Sequence, residues 1–152
     1  MDQLGCTSPC WSASITASVL EAAPSFSYTA RTCTRTVLID AVPEDQMILD
    51  IGPATVRAIA AELARCRTLV WNGPVGAFET PPFDAGTTVL AREVVSLTRG
   101  KKLLSVAGGG DTVSALAHAS AIDALSYVST AGGAFLEWLE GRELPGVAAL
   151  LR

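Results

Sequence analysis

The sequence predicts an α/β fold built on a parallel β-sheet. From about residue 35 onward, short apolar runs alternate with helical stretches, and Gly or Pro stands between them. The runs are apolar throughout their centres, which is typical of parallel strands that are buried on both faces. The predicted strands are residues 36–39, 47–51, 68–71, 102–107 and 125–129.

The helices are predicted from apolar residues that recur three or four positions apart, which places them on one helix face. The predicted helices are residues 54–65, 85–98, 111–119 and 133–140. Asp84 is the expected N-cap of the second helix, and Gly141 is expected to end the last one. Strands and helices in alternation predict a layered sheet with right-handed crossovers.

The composition of the 152 residues fits one globular domain, with 49% hydrophobic and 17% charged residues. The formal net charge is −4, so we expect no nucleic-acid partner. The chain has no apolar run of about 18 residues and no secretory signal pattern at its N-terminus, so we expect no membrane association. The four Cys are expected to be free thiols, and the expected location is cytoplasmic.

A strand, three glycines and a helix start follow one another in residues 103–112. Glycines allow backbone N–H groups to approach a ligand, and the helix N-terminus adds a partial positive charge. This arrangement predicts a phosphate site, at which Asp111 would hold Mg²⁺ and Thr112 would offer a hydroxyl. The alternative is a tight Gly-rich turn with Asp111 as an ordinary N-cap. The segment matches neither a Walker A loop nor Gly-x-Gly-x-x-Gly.

Three further strand ends carry polar or glycine-rich loops. Residues 129–134 repeat the strand-to-helix junction, and the alternative there is a capped helix with small residues for close packing. In residues 70–79, Asn72 could contact a phosphate and Glu79 a ribose, or the segment is a structural loop. Residues 49–53 indicate a turn followed by a helix. Ligands of open α/β sheets bind beyond the carboxyl ends of the strands, where these loops are expected to lie.

Five segments in this order resemble the C-terminal, nucleotide-binding domain of the phosphoglycerate kinases. They are residues 50–53, 71–79, 108–112, 129–134 and 136–147. The resemblance runs from residue 35 to residue 152. It implies a partial Rossmann-like nucleotide-binding domain whose front strands, and the N-terminal domain before them, are missing. Residues 1–34 do not resemble the family and are expected to be poorly ordered.

The resemblance implies a role for each matching position. Gly52 resembles the glycine beside the adenine pocket, Glu79 the ribose-contacting glutamate, and Asn72 with Gly73 the pair near the nucleotide phosphates. The phosphate loop would comprise Gly109, Gly110, Asp111 and Thr112, with Asp111 as the Mg²⁺ ligand. The residues expected to face the transferring phosphoryl group are Gly110, Gly132 and Gly133.

The implied reaction is phosphoryl transfer between 1,3-bisphosphoglycerate and ADP, which gives 3-phosphoglycerate and ATP in glycolysis. The implied ligands are ADP or ATP and Mg²⁺, and 3-phosphoglycerate would bind only through the missing N-terminal domain. We therefore expect a fragment that is inactive alone. Family members are usually monomeric, and the fragment is expected to self-associate through an open sheet edge. The alternative is a remnant or complementation partner that binds no nucleotide.

Overall fold

The computed structural model describes residues 26–30, 33–37, 41–42, 44 and 46–151. The strands are β1 (Phe26–Ala30), β2 (Cys33–Val37), β3 (Met47–Ile51), β4 (Thr68–Asn72), β5 (Leu104–Gly108) and β6 (Tyr127–Ser129). The helices are α1 (Pro53–Leu63), α2 (Ala85–Arg99), α3 (Gly110–His118), α4 (Gly132–Leu139) and α5 (Pro145–Leu150), with a short 3₁₀ helix at Ile122–Ala124. The expected disorder of residues 1–34 falls largely outside the described residues, and the predicted boundary at residue 35 lies inside β2.

A parallel sheet with the strand order β4-β5-β6 forms the centre of the fold, as predicted. Thr68 pairs with Leu104 at the start of β4, and Gly108 pairs with Ser129 at the end of β6. Helix α2 connects β4 to β5, and α3 lies between β5 and β6. The chain is therefore an α/β protein in which three strand ends share one sheet edge.

The prediction that residues 36–39 and 47–51 are parallel strands buried on both faces is wrong. Strands β2, β1 and β3 form a separate sheet in which β1 pairs with both neighbours in antiparallel orientation. Only residues 31 and 32 separate β1 from β2, and so short a connection allows antiparallel pairing alone. Met47 and Ile48 are 68% and 42% exposed, so the start of β3 is not a buried strand.

The hydrophobic core lies between the parallel sheet and helices α1, α2 and α3. Trp71 of β4 and Leu90 and Val94 of α2 have no exposed surface. Each buried side chain of this size contributes about 1.5–3 kcal/mol by leaving water. The helix faces inferred from apolar spacing are therefore the buried ones. No helix in the described part of the chain combines the length and the apolar character needed to cross a membrane.

The two predicted helix caps have different outcomes. Gly141 has a φ of 79° and follows α4, and its N–H donates to the Trp138 carbonyl at 3.0 Å, as a C-terminal glycine cap does. Asp84 occupies the N-cap position of α2, but its side chain makes no capping hydrogen bond. Its carboxylate instead lies 3.6 Å from Nε2 of His118 on α3.

The buried carboxylate of Asp50 serves the N-terminus of α2 in place of Asp84. Asp50 is 4% exposed, and it accepts 2.8 Å hydrogen bonds from the N–H groups of Ile51 and Gly86. A Cβ at Gly86 would lie 2.5 Å from Oδ1 of Asp50, so only glycine fits there. Burial raises the pKa of Asp50 to about 6 against these hydrogen bonds, and repulsion from Asp84 adds to the rise.

The raised pKa predicts that rising pH destabilises the fold through Asp50. Between its usual pKa of 3.8 and about 6, the folded chain holds a proton that the unfolded chain has released, so stability falls as pH rises through this window. The loss amounts to roughly 3 kcal/mol, at about 1.4 kcal/mol per pKa unit. In urea unfolding at several pH values, the free energy of unfolding of Asp50→Asn should rise relative to that of the wild type as pH increases through this window. A difference that stays constant with pH, or that moves the other way, would contradict this assignment.

Candidate functional site

The carboxyl ends of the three parallel strands bring the predicted site residues to one sheet edge. Asn72 ends β4, Gly108 ends β5 and Ser129 ends β6, and the three are neighbours across the ladder. Strands β5 and β6 each lead within two residues into a helix, whereas β4 leads into the loop of residues 73–84. This is the edge at which open α/β sheets bind their ligands.

The N-terminus of α3 presents free backbone donors at this edge. Gly109 is the N-cap with a left-handed φ of 100°, which favours glycine, and its carbonyl accepts from Val113. No hydrogen bond among the described residues uses the N–H groups of Gly110, Asp111 or Thr112. Apart from Gly110 itself, its two chain neighbours and the backbone of α3, no atom lies within 4 Å of the position that a Cβ on Gly110 would occupy. Gly110 and Asp111 are exposed, so an anion can reach their unpaired N–H groups at the positive end of the helix.

The N-terminus of α4 packs directly against this loop. A Cβ at Gly132 would lie 2.5 Å from the Gly109 nitrogen and 2.7 Å from its Cα, so a larger residue cannot fit without movement. The Gly109 N–H donates to the Ser129 carbonyl at 3.1 Å, which ties the loop to β6. Two helix N-termini thus lie side by side. Ala131, the N-cap of α4, is exposed and has a φ of −93°, so its Cβ imposes no backbone strain.

Asn72 and Gly73 join this cluster from β4. The Gly73 N–H donates to Oγ1 of Thr112 at 2.6 Å, which links the β4 loop to α3. Gly109 approaches Oδ1 of Asn72 so closely that an added Cβ would lie 3.2 Å from that oxygen. The structure therefore brings together five of the predicted residues, namely Asn72, Gly73, Gly109, Thr112 and Gly132.

Asp111 is the single acidic residue in the first turn of α3, and it is exposed. Nowhere in the described ranges do three or more His, Cys, Asp or Glu side chains gather into a metal-binding cluster. A lone carboxylate beside free N–H groups suits Mg²⁺, which commonly takes one or two protein carboxylates and completes its shell with phosphate oxygens and water. The residues present therefore fit a magnesium-bound phosphate.

No hydrogen bond among the described residues joins Gly52 or Glu79 to Gly109 or Gly132. Gly52 is buried and is the N-cap residue of α1, directly after β3 of the antiparallel sheet. Glu79 is exposed on the loop between β4 and α2. A hydrogen bond of 2.8 Å from the Ala77 N–H to the Leu49 carbonyl joins this loop to β3. The loop thus connects the two sheets.

Two residues that support the site were not predicted from the sequence. The Ser129 side chain accepts from the Ala131 N–H at 3.1 Å, while its carbonyl holds Gly109. The Trp71 indole N–H donates to the Gly73 carbonyl at 2.7 Å. Ser129 opens the segment of residues 129–134, for which a capped helix was the alternative, but its hydroxyl bonds the N-cap residue Ala131 and caps no N–H group inside α4. Nothing in the local pattern indicates the second.

A family model described as phosphoglycerate kinase matches residues 15–142. The match begins inside residues 1–34, the segment in which the sequence analysis found no resemblance to the family. Phosphoglycerate kinase from Rhizorhabdus wittichii is 66% identical over 117 residues, which cover 77% of this chain and 30% of the relative. Phosphoglycerate kinase from Novosphingobium aromaticivorans is 64% identical over 116 residues, covering 76% of this chain and 29% of the relative. The chain therefore matches less than a third of the length of these relatives.

Solved structures give the same result. The structure of phosphoglycerate kinase from Coxiella burnetii has a TM-score of 0.74 and 40% identity, and the match covers 83% of this chain and 33% of that one. The Pyrococcus horikoshii enzyme has a TM-score of 0.71 and 28% identity, over 85% of this chain and 32% of that one. The sequence match, the parallel sheet and the glycine loops agree, and the chain belongs to the phosphoglycerate kinase family.

Proposed function

We propose that the carboxyl edge of the parallel sheet binds the phosphates of Mg²⁺-bound ADP or ATP. The observation that carries this proposal is the set of free N–H groups at Gly110, Asp111 and Thr112, beside which the N-terminus of α4 is packed. The two helix N-termini attract negative charge at one place. The names of the relatives, which are kinases, favour a nucleotide as the phosphate ligand.

In this proposal the protein positions the phosphates and neutralises their charge. The N–H groups of the α3 first turn donate to phosphate oxygens, and Asp111 holds Mg²⁺ beside them. Bound Mg²⁺ supplies positive charge that offsets the charge of the phosphates. Gly132 and Gly133, which open α4, lie nearest to the phosphoryl group that is transferred. Such an arrangement suits phosphoryl transfer, in which the protein does little covalent chemistry.

Gly52 and Glu79 are proposed to serve the adenosine end of the same nucleotide. An adenine nucleotide is extended, so its base and ribose lie away from its phosphates. The loop that carries Glu79 is hydrogen-bonded to β3 through Ala77 and Leu49, and Gly52 directly follows β3. Both residues therefore lie on the side of the site that faces the antiparallel sheet.

The transfer of the phosphoryl group to or from 3-phosphoglycerate is a proposal for the family's reaction as a whole. The matched segment covers about 30% of the relatives, so we assign only the nucleotide part of the reaction to this chain.

A second candidate function is complementation or self-association. Leu104 and Tyr127 favour it, because they are 54% and 59% exposed and share one face of the parallel sheet.

The metal role of Asp111 predicts a selective loss of affinity in Asp111→Ala. Removing the carboxylate should weaken Mg-ADP binding by about tenfold or more, as expected for a charged contact. Binding of ADP in the presence of EDTA should change little, because free ADP makes no use of the carboxylate. Isothermal titration calorimetry of the wild type and of Asp111→Ala, each with and without Mg²⁺, measures the two effects. Equal losses under both conditions would remove the metal role from Asp111.

Close packing of α4 on the phosphate loop predicts a large effect of Gly132→Ala. The added Cβ would overlap the Gly109 backbone, and such overpacking costs about 1–3 kcal/mol. We expect lower unfolding stability and weaker Mg-ADP binding. Gly146→Ala in α5 is the matched control, since no atom outside its own helix and its chain neighbours lies within 4 Å of the added Cβ. Equal melting temperatures and nucleotide affinities in the two variants would contradict the packing that we describe.

A further inference from the structure

We propose that Trp71 is a positioning residue of the phosphate site, whose indole N–H fixes Gly73 and thereby places the Asn72 side chain beside the phosphate loop. Its effect on nucleotide affinity rests on the proposed function. Its effect on the geometry of Asn72 and Gly73 does not. The proposal gives a site role to a core side chain that touches neither the nucleotide nor the metal.

Both polar backbone groups of Gly73 are held by side chains from different elements. Oγ1 of Thr112, on α3, accepts from the Gly73 N–H at 2.6 Å. Nε1 of Trp71, on β4, donates to the Gly73 carbonyl at 2.7 Å. Gly73 has a left-handed φ of 96°, a conformation that these two bonds select at the point where β4 ends. The orientation of the residue after Asn72 is therefore set from both sides.

Trp71 is fully buried, and Thr112 is 1% exposed, so neither side chain is free to move away from Gly73. A buried indole N–H needs a hydrogen-bond acceptor, and here the acceptor is a carbonyl in the site itself. Gly73 is only half-buried, so its carbonyl can bind water when the indole donor is removed. Loss of this bond should therefore release the loop while leaving no unpaired buried carbonyl.

The position of Asn72 is the consequence that matters for binding. Its Oδ1 lies against Gly109, at the start of the helix whose first N–H groups are free. Among the described residues, no hydrogen bond holds the Asn72 side chain, so the backbone at residues 71–73 sets its place. Small misplacements of a binding group reduce its contribution strongly. Trp71 thus acts on the ligand through Asn72.

A double-mutant cycle tests this dependence. Trp71→Phe should weaken Mg-ADP binding by about tenfold, since it removes the donor that orients the loop. In the Asn72→Ala background, the same substitution should change affinity less than about twofold, because the group it places is absent. An equal loss in both backgrounds, or no loss in either, would overturn the proposal. Calorimetric titration of the four proteins gives the comparison.

A second arm needs no ligand and so separates this proposal from the nucleotide proposal. In amide-resolved NMR, Trp71→Phe should speed hydrogen exchange of the Gly73 N–H at least about tenfold relative to the Leu90 N–H, and shift the Asn72 side-chain amide signals. Leu69→Val, a neighbouring core substitution with no bond to Gly73, should do neither. If the wild type fails to bind Mg-ADP, the proposed function is wrong, and the NMR experiment alone then decides whether Trp71 positions Gly73 and Asn72. Unchanged Gly73 and Asn72 signals would overturn the positioning role.

Replacement of Trp71 by β-(3-benzothienyl)alanine keeps the bicyclic shape but has sulfur in place of the N–H. This variant covers the case in which Trp71→Phe does not fold. It should reproduce the faster Gly73 exchange at nearly wild-type stability. Wild-type exchange at Gly73 in this variant would show that ring packing, rather than the hydrogen bond, holds the loop.

Discussion

The site depends on the close backbone contact between Gly132 and Gly109. Because Gly132 has no Cβ, the start of α4 can rest on the loop that opens α3, and two helix N-termini meet at one point. Gly109 is held in turn by the Ser129 carbonyl, so the ends of β5 and β6 and the starts of their helices form one unit. In the proposed function, free N–H groups concentrated in this way would hold an anion without any basic side chain, although the formal net charge of the chain is −4.

A second constraint extends from this unit to the antiparallel sheet. Asp50 on β3 accepts hydrogen bonds at the start of α2, and Thr87 of α2 accepts from the Val75 N–H at 3.1 Å. The loop between β4 and α2 is thereby joined to α2 at Val75, while Trp71 and Thr112 hold its first residue, Gly73. The exposed Glu79 is therefore carried by a loop that is hydrogen-bonded to α2, α3 and β3.

Helices α1 to α4 could be predicted because their apolar residues recur at the helical period, and β4, β5 and β6 because each lies in a short apolar run. Helix α5 was not predicted. The meeting of Asn72, Gly109 and Gly132 could also be predicted, since parallel strands end at one sheet edge. The pairing of β1 with β3 could not, because it joins distant segments and leaves Met47 and Ile48 exposed. The contacts of Trp71 and Asp50 could not either, since they depend on the direction of single side chains in three dimensions.

Amide-resolved NMR of the chain with and without Mg-ADP tests the central claim most directly. The account predicts a dispersed spectrum in which the N–H signals of Gly110, Asp111 and Thr112 shift most, because these are the free donors at the start of α3. Signals from the far end of α2 should stay in place. A dispersed spectrum that does not change on addition of Mg-ADP would contradict the account, since the fold would be intact and the phosphate site would not bind.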